Sequence, residues 1–243
     1  MRTATAAVLA AALLCLAPSA YAEVGGDRLA EPEPPPPLPA VMADTGGGSQ
    51  LITARAADLK ATTGQVTWWE LRAGRWRAAG STPARFGAGG LTEGVRRRQG
   101  TSTTPTGLYD LPFAFGVRPA PAGTTTPYRR VGERSWWCQD NGSRAYNRWA
   151  EPRPADCAAK EAEHLIDYRT QYAHALVIGF NYRHPVRGRG AGIFLHVNGK
   201  GATAGCVSVP ADAMRRILSW TRPGRQPHIA IGTATGSTAL TRY

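Results

Sequence analysis

Two side chains ten residues apart, His196 and Cys206, are the pair in this chain best suited to nucleophilic chemistry. A thiolate is a strong nucleophile, and an imidazole beside it can take the thiol proton and later return it to a leaving group. His196 stands near the end of the apolar run 191-AGIFLHV-197, and Cys206 lies within 205-GCVSV-209. If those runs pair as strands, or their ends converge, the two groups come within hydrogen-bond reach. Gly205 permits close backbone approach, and the peptide N–H groups of Gly205 and Cys206 are then placed to hold an oxyanion. The spacing suits an inert buried thiol equally well, the usual fate of a lone cysteine in a strand. These residues alone leave both readings open.

The remaining cysteines help to decide. Met1-Arg2-Thr3, the apolar run Ala4 to Leu16 and the small residues of Ala20-Tyr21-Ala22 form the three-part pattern of a secretory signal over residues 1–22, cut before Glu23. The apolar run is too short to span a bilayer, and no other long apolar stretch follows, so no transmembrane segment is expected after cleavage. The mature chain is expected outside the cytoplasm, secreted or wall-associated, in oxidising conditions. It keeps Cys138, Cys157 and Cys206. Three is odd, so two can pair and one is left over. Cys138 and Cys157 flank a loop rich in Gly, Asn, Pro and Arg and are expected to form a local disulfide worth about 3 kcal/mol in the chain-entropy model. His164, His174, His184 and His228 show no metal-ligand spacing, so neither a metal nor another cofactor is expected.

The net charge is +12, and the excess is arginine, as in 96-RRR-98, Arg129-Arg130 and Arg215-Arg216. An exported chain without a nucleic-acid-binding signature excludes RNA and DNA as expected partners. Attraction to an anionic extracellular polymer fits better, although a GC-rich genome's preference for Arg would leave the same composition.

These residues must be positioned by a fold, and the texture is mainly β with a few short helices. Residues 23–50, with 31-EPEPPPPLP-39 and Gly46-Gly47-Gly48-Ser49, read as a disordered tether. The catalytic-type domain is expected over 51–233, followed by a tail over 234–243. Leu51-Ile52-Thr53-Ala54 and Val66 to Leu71 read as strands, and Ala73-Gly74 as a hairpin turn. Pro105 and Gly107 suggest a turn ahead of a short strand. Ala158 to Leu165 reads as a short helix; 174-HALVIGFNY-182, 191–197 and 205–209 read as buried strands. Pro210 opens a helix that puts Met214, Ile217 and Leu218 on one face, and 227-PHIAIGT-233 closes the domain as a strand.

The stretch 178-IGFNYRHPVRGRGAGIFLHVNGKGATAGCVSVP-210 resembles the catalytic core of the L,D-transpeptidase (YkuD-like) family, bacterial enzymes that cross-link peptidoglycan. Gly-Phe-Asn-Tyr, Pro-Val and the approach to Ile-Phe-Leu-His resemble a branch common in secreted actinobacterial members, and 89-GGLTEGVRRRQGTSTTPTG-107 matches an earlier family element. The resemblance implies a β-sandwich or barrel-like fold and a thioester mechanism acting on peptidoglycan stem peptides. It implies Cys206 as nucleophile and His196 as its base, with the Val197 carbonyl orienting the imidazole, the Thr203 hydroxyl beside the site and Gly205 at the oxyanion turn. Transfer to an amine of a neighbouring stem is the family reaction; water as acceptor would make the chain an L,D-carboxypeptidase, and a non-catalytic basic wall-binding module is the third reading. The His-to-Cys interval is shorter than the family's usual loop, Ala204 stands where many members have His, and Ser208 where many have Arg or Asn. Arg183, Arg187 and Arg189 are the expected substitutes for recognising a substrate carboxylate alongside Ser208.

Overall fold

A computed structural model describes residues 35–243. The expected signal sequence and the first part of the expected tether lie outside these residues. The strands in chain order are β1 (Gln50–Ala56), β2 (Thr63–Arg72), β3 (Arg75–Arg85), β4 (Leu91–Glu93), β5 (Thr104–Asp110), β6 (Ala114–Gly116), β7 (Tyr128–Arg130), β8 (Trp136–Cys138), β9 (Arg148–Ala150), β10 (Ala162–His164), β11 (Ala175–Val177), β12 (Phe194–Val197), β13 (Val207–Val209) and β14 (His228–Thr233). One α-helix, α1 (Ala211–Trp220), follows β13. Eleven strands form one sheet in the order β4-β5-β14-β1-β2-β3-β13-β12-β11-β6-β7, and β10-β8-β9 form a second of three. Among the described residues, no helix is long and apolar enough to cross a membrane.

The expected β1 and β2 form, joined to β3 through a tight turn at Ala73 and Gly74, both at positive φ (47° and 71°). That backbone matches the twist of paired strands, and alanine tolerates it at a cost. Buried α1 residues Met214, Ile217 and Leu218 pack with Leu195, Val197, Val207 and Val209 of the sheet. Strand periodicity therefore separates β12 into two faces. Leu195 and Val197 face the helix side, while Phe194 joins Cys206, Phe115, Trp137 and Tyr172 in an aromatic cluster on the other. His196 shares the parity of Phe194 and stacks edge-on against Tyr172, with ring centroids 5.6 Å apart.

Several expectations are corrected. Residues 36–50, expected in the tether, belong to the same compact unit as residues 51–243. Leu38 and Met42 pack with Trp69, Trp76 and Tyr243 around Leu51, Ala230 and Leu240, and Ser49 N–H donates to Arg225 O at 2.9 Å. Gly48 is there for closeness rather than flexibility, since a Cβ would lie 2.0 Å from Gln226 O. The expected tail packs too: Leu240 is buried, and Tyr243 Oη donates to Thr106 Oγ1 at 2.7 Å. Pro105 and Gly107 lie inside β5, not in a turn before it. The expected helix at 158–165 is a 3-10 turn (Ala159–Glu161) followed by β10, because Ala162, Glu163 and His164 pair with Cys138, Trp137 and Trp136 of β8. The buried run 174–182 is strand only over β11, and 191–197 only over β12; the glycine-rich chain between them loops away.

Cys138 and Cys157 are disulfide-bonded, as expected, and close the loop that carries β9. Asn147, 1% exposed, ties the small sheet to the main one. Its Oδ1 accepts from Trp137 Nε1 at 2.9 Å and from Gly192 N at 3.0 Å, and its Nδ2 donates to Asn181 O at 2.6 Å.

Candidate active site

β12 and β13 run parallel, with Leu195 opposite Val207 and His196 opposite Ser208. Cys206 immediately precedes β13, so the two runs that carry histidine and cysteine do pair. Both residues line one cavity of about 350 Å³. Cys206 is only 7% exposed and is the free cysteine among the described residues. Its Sγ donates to Gly192 O and accepts from Phe194 N, each at 3.4 Å, so the resting thiol is held by backbone rather than by imidazole. Burial pushes it up to about 12; the Glu163 carboxyl adds to that rise, while Phe194 N–H and Arg97 oppose it. His196 is pushed down to about 4 by burial. At neutral pH the pair rests as thiol and neutral imidazole.

His196 Nδ1 lies 2.8 Å from Val197 O. A carbonyl can only accept, so Nδ1 carries the hydrogen and Nε2 keeps its lone pair. The small Ala175 faces His196 from β11. Thr203 Oγ1 donates to Cys206 O at 2.7 Å and accepts from Gly205 N at 3.1 Å, which shapes the turn into the cysteine. The Gly205 amide is thereby already engaged, so it can hold an oxyanion only by giving up Thr203. Thr104 Oγ1 makes a second bond to Cys206 O at 3.2 Å.

The expected substrate-binding set is not brought to this cavity. Arg183 forms an ion pair with Asp110, its Nη2 2.5 Å from Oδ2, beside a different cavity. Arg187 and Arg189 do not line the thiol cavity, and Arg189 contributes its carbonyl, not its guanidinium, to Arg97. Ser208 is fully buried within β13, its Oγ donating to Asn198 Oδ1 at 2.8 Å.

Residues not singled out from sequence take those places. Arg97, the middle of 96-RRR-98, is 5% exposed while both neighbours are exposed. Its Nε donates to Thr103 O at 2.7 Å and its Nη1 to Arg189 O at 3.2 Å, and no carboxylate of the described residues pairs with it. Burial lowers its pKa, and proximity to Cys206 works the other way. Two glycines make room for it: a Cβ at Gly190 (φ 115°) would sit 1.6 Å from Arg97 Nη1, and one at Gly205 (φ 133°) 2.8 Å from Nη2. A buried guanidinium lacking a carboxylate is costly unless a ligand supplies one. Glu163, Gln139 and Tyr172 line the same cavity. The sequence signal for Arg97 was weak, because a run of three arginines reads as solvated charge. The alternation of exposure within the run emerges only with the fold.

No curated protein matches the chain. Among solved structures, "Structure of Bdellovibrio bacteriovorus Bd1075" is similar over 78% of this chain and 50% of its own, at 16% identity and a TM-score of 0.36. This chain thus spans half the length of that one. The family model of the L,D-transpeptidase catalytic domain (YkuD) matches residues 55–229, a span that holds both the thiol and the imidazole of the cavity. The chain belongs to the L,D-transpeptidase catalytic domain family.

Proposed function

We propose that this protein is a peptidoglycan L,D-transpeptidase that acts outside the cytoplasm through a Cys206 thioester. The observation that carries this reading is a single one: a buried thiol shares a cavity with a neutral imidazole whose free nitrogen is fixed as Nε2 by Val197 O. On substrate entry the thiol leaves Gly192 O, and Nε2 takes its proton. Sulfur attacks the amide carbonyl that follows the L-centre of an L,D dipeptide; the C–S bond forms, the C–N bond breaks, and the imidazolium returns the proton to the departing D-residue amine. Arg97 receives the D-residue carboxylate, because that cation is buried and has no acidic partner among the described residues. Thr203 and Gly205 hold the turn that presents the thiol.

The branch of secreted actinobacterial members is favoured by the 178–186 stretch. Export is favoured by the signal pattern and by the Cys138–Cys157 disulfide, which persists in oxidising compartments. The +12 charge favours association with carboxylate- and phosphate-rich wall polymers.

The test is covalent labelling. Incubation with a carbapenem should add one acyl mass to the intact protein, with no addition in Cys206→Ser and slow addition in His196→Ala. Well-folded protein that takes up no acyl group would end the enzymatic reading and favour a wall-binding module.

A further inference from the structure

Deepening the transpeptidase reading, on which it rests, we propose that Glu163 is the acceptor-side catalytic residue of this cavity: its carboxylate binds the ammonium of an incoming primary amine and removes a proton from it. The mechanism above uses the thiol, the imidazole and the guanidinium, and leaves unused a carboxyl that lines the same cavity. Glu163 Oε1 accepts from Tyr172 Oη at 2.6 Å, and Oε2 accepts from Gln139 Nε2 at 3.1 Å. The carboxyl is therefore fixed in place by two neutral donors, and no cation among the described residues is bonded to it. β10 is held to β8 by Glu163 opposite Trp137, and the Cys138–Cys157 bridge anchors the same small sheet, so the placement is rigid.

The cavity thus carries one buried cation without an anion and one carboxyl without a cation. A stem peptide with a free carboxylate satisfies Arg97, and a positively charged group is the complement of Glu163 in its carboxylate form. Water, the acceptor of a carboxypeptidase, carries no charge for such a carboxylate to pair with. Tyr172 links the two groups: its hydroxyl donates to Glu163 and its ring stacks edge-on against His196. Burial raises the Glu163 carboxyl to about 7, a value suited to exchanging a proton at neutral pH. The other titratable groups that face it across the cavity are Tyr172, Tyr168, Cys206, His196, Arg97 and Lys200.

The ammonium gives one proton to the Glu163 carboxylate, and the free amine attacks the thioester carbonyl. The N–C bond forms, the C–S bond breaks, and the second nitrogen proton passes through His196 to the departing sulfur. Glu163 then releases its proton to solvent.

The test starts from acyl-enzyme already formed on a tetrapeptide stem and verified by intact mass, then chased with a second stem bearing a free side-chain amine. The readout is the ratio of amine-captured dimer to water-captured tripeptide. In Glu163→Gln that ratio should fall at least tenfold, and the rise of the ratio between pH 6 and 8 expected of the unmodified protein should flatten. Glu163→Asp should recover part of the ratio, which a merely structural role would not require. An unchanged ratio and unchanged pH profile in Glu163→Gln overturn the inference, as does an unmodified protein that forms only tripeptide. Failure to form any acyl-enzyme marks failure of the transpeptidase reading itself, a separate outcome seen at the first mass measurement.

Discussion

Between pH 4.5 and 6.5 the cavity should oppose itself in stability, and the two contributions can be separated by substitution. His196 is held near 4 in the fold against an ordinary value of 6.5, so in that window the unfolded chain binds more protons. Its contribution to stability is fully present above pH 6.5 and is lost as pH falls towards 4. Glu163 is held near 7 against an ordinary 4.5, so there the folded chain binds more protons. Its contribution is fully present below pH 4.5 and is lost as pH rises towards 7. At 1.36 kcal/mol per pH unit each effect is worth about 3 kcal/mol, with opposite sign. Urea unfolding with the disulfide intact, at several pH values from 4.5 to 7.5, should give a nearly level stability for the unmodified protein. His196→Gln should lose about 3 kcal/mol on going from pH 4.5 to 7, and Glu163→Gln should gain about the same amount over that range. If both variants follow the unmodified protein's pH dependence, neither group is buried in the protonation state assigned to it, and the resting thiol–imidazole description falls.

Arg97→Met should lower kcat/KM for acylation by a stem peptide about 10- to 100-fold, the range for removing one charged hydrogen bond, while a donor lacking the terminal carboxylate should react with both proteins alike. Reduction of Cys138–Cys157 under native conditions should cost about 3 kcal/mol in urea unfolding and should disturb Gln139 and Glu163, read as a lower dimer-to-tripeptide ratio. Gly205→Ala should nearly abolish carbapenem labelling, because the new Cβ meets Arg97 Nη2 and Thr103 O in a backbone conformation that alanine rarely adopts. Ser208→Ala should leave labelling within about twofold, since its hydroxyl is spent on Asn198 and faces no part of the cavity.

What sequence made legible was the pattern that local chemistry controls. The Ala73-Gly74 turn, the inward face of α1 and the strand character within the 191–197 and 205–209 runs follow from periodicity and turn residues, while their pairing was only a condition that the fold met. The disulfide followed from counting cysteines. The misplaced readings share a cause: the deciding contact was distant in sequence. Residues 158–165 have helical composition, but pairing with β8 more than twenty positions away imposes a strand. Gly46 to Gly48 look like a flexible linker until the 225–226 backbone is seen against Gly48. Arg183, Arg187 and Arg189 were expected at the site because they precede His196 in the chain. The cavity instead takes Arg97 from a run that sequence treats as surface charge, and Glu163 from a segment that it treats as helix.

β14 has a consequence for how the chain is made. It lies between β5 and β1, parallel to β1 and antiparallel to β5, yet it begins only at His228. Until residues 228–233 leave the ribosome, β1 and β5 each keep an open hydrogen-bonding edge, and the main sheet cannot be completed. Completion of the main sheet is thereby deferred until residues 228–233 have been made. The same geometry makes premature termination before residue 228 hazardous, because the product would present two unpaired strands to its neighbours and aggregate.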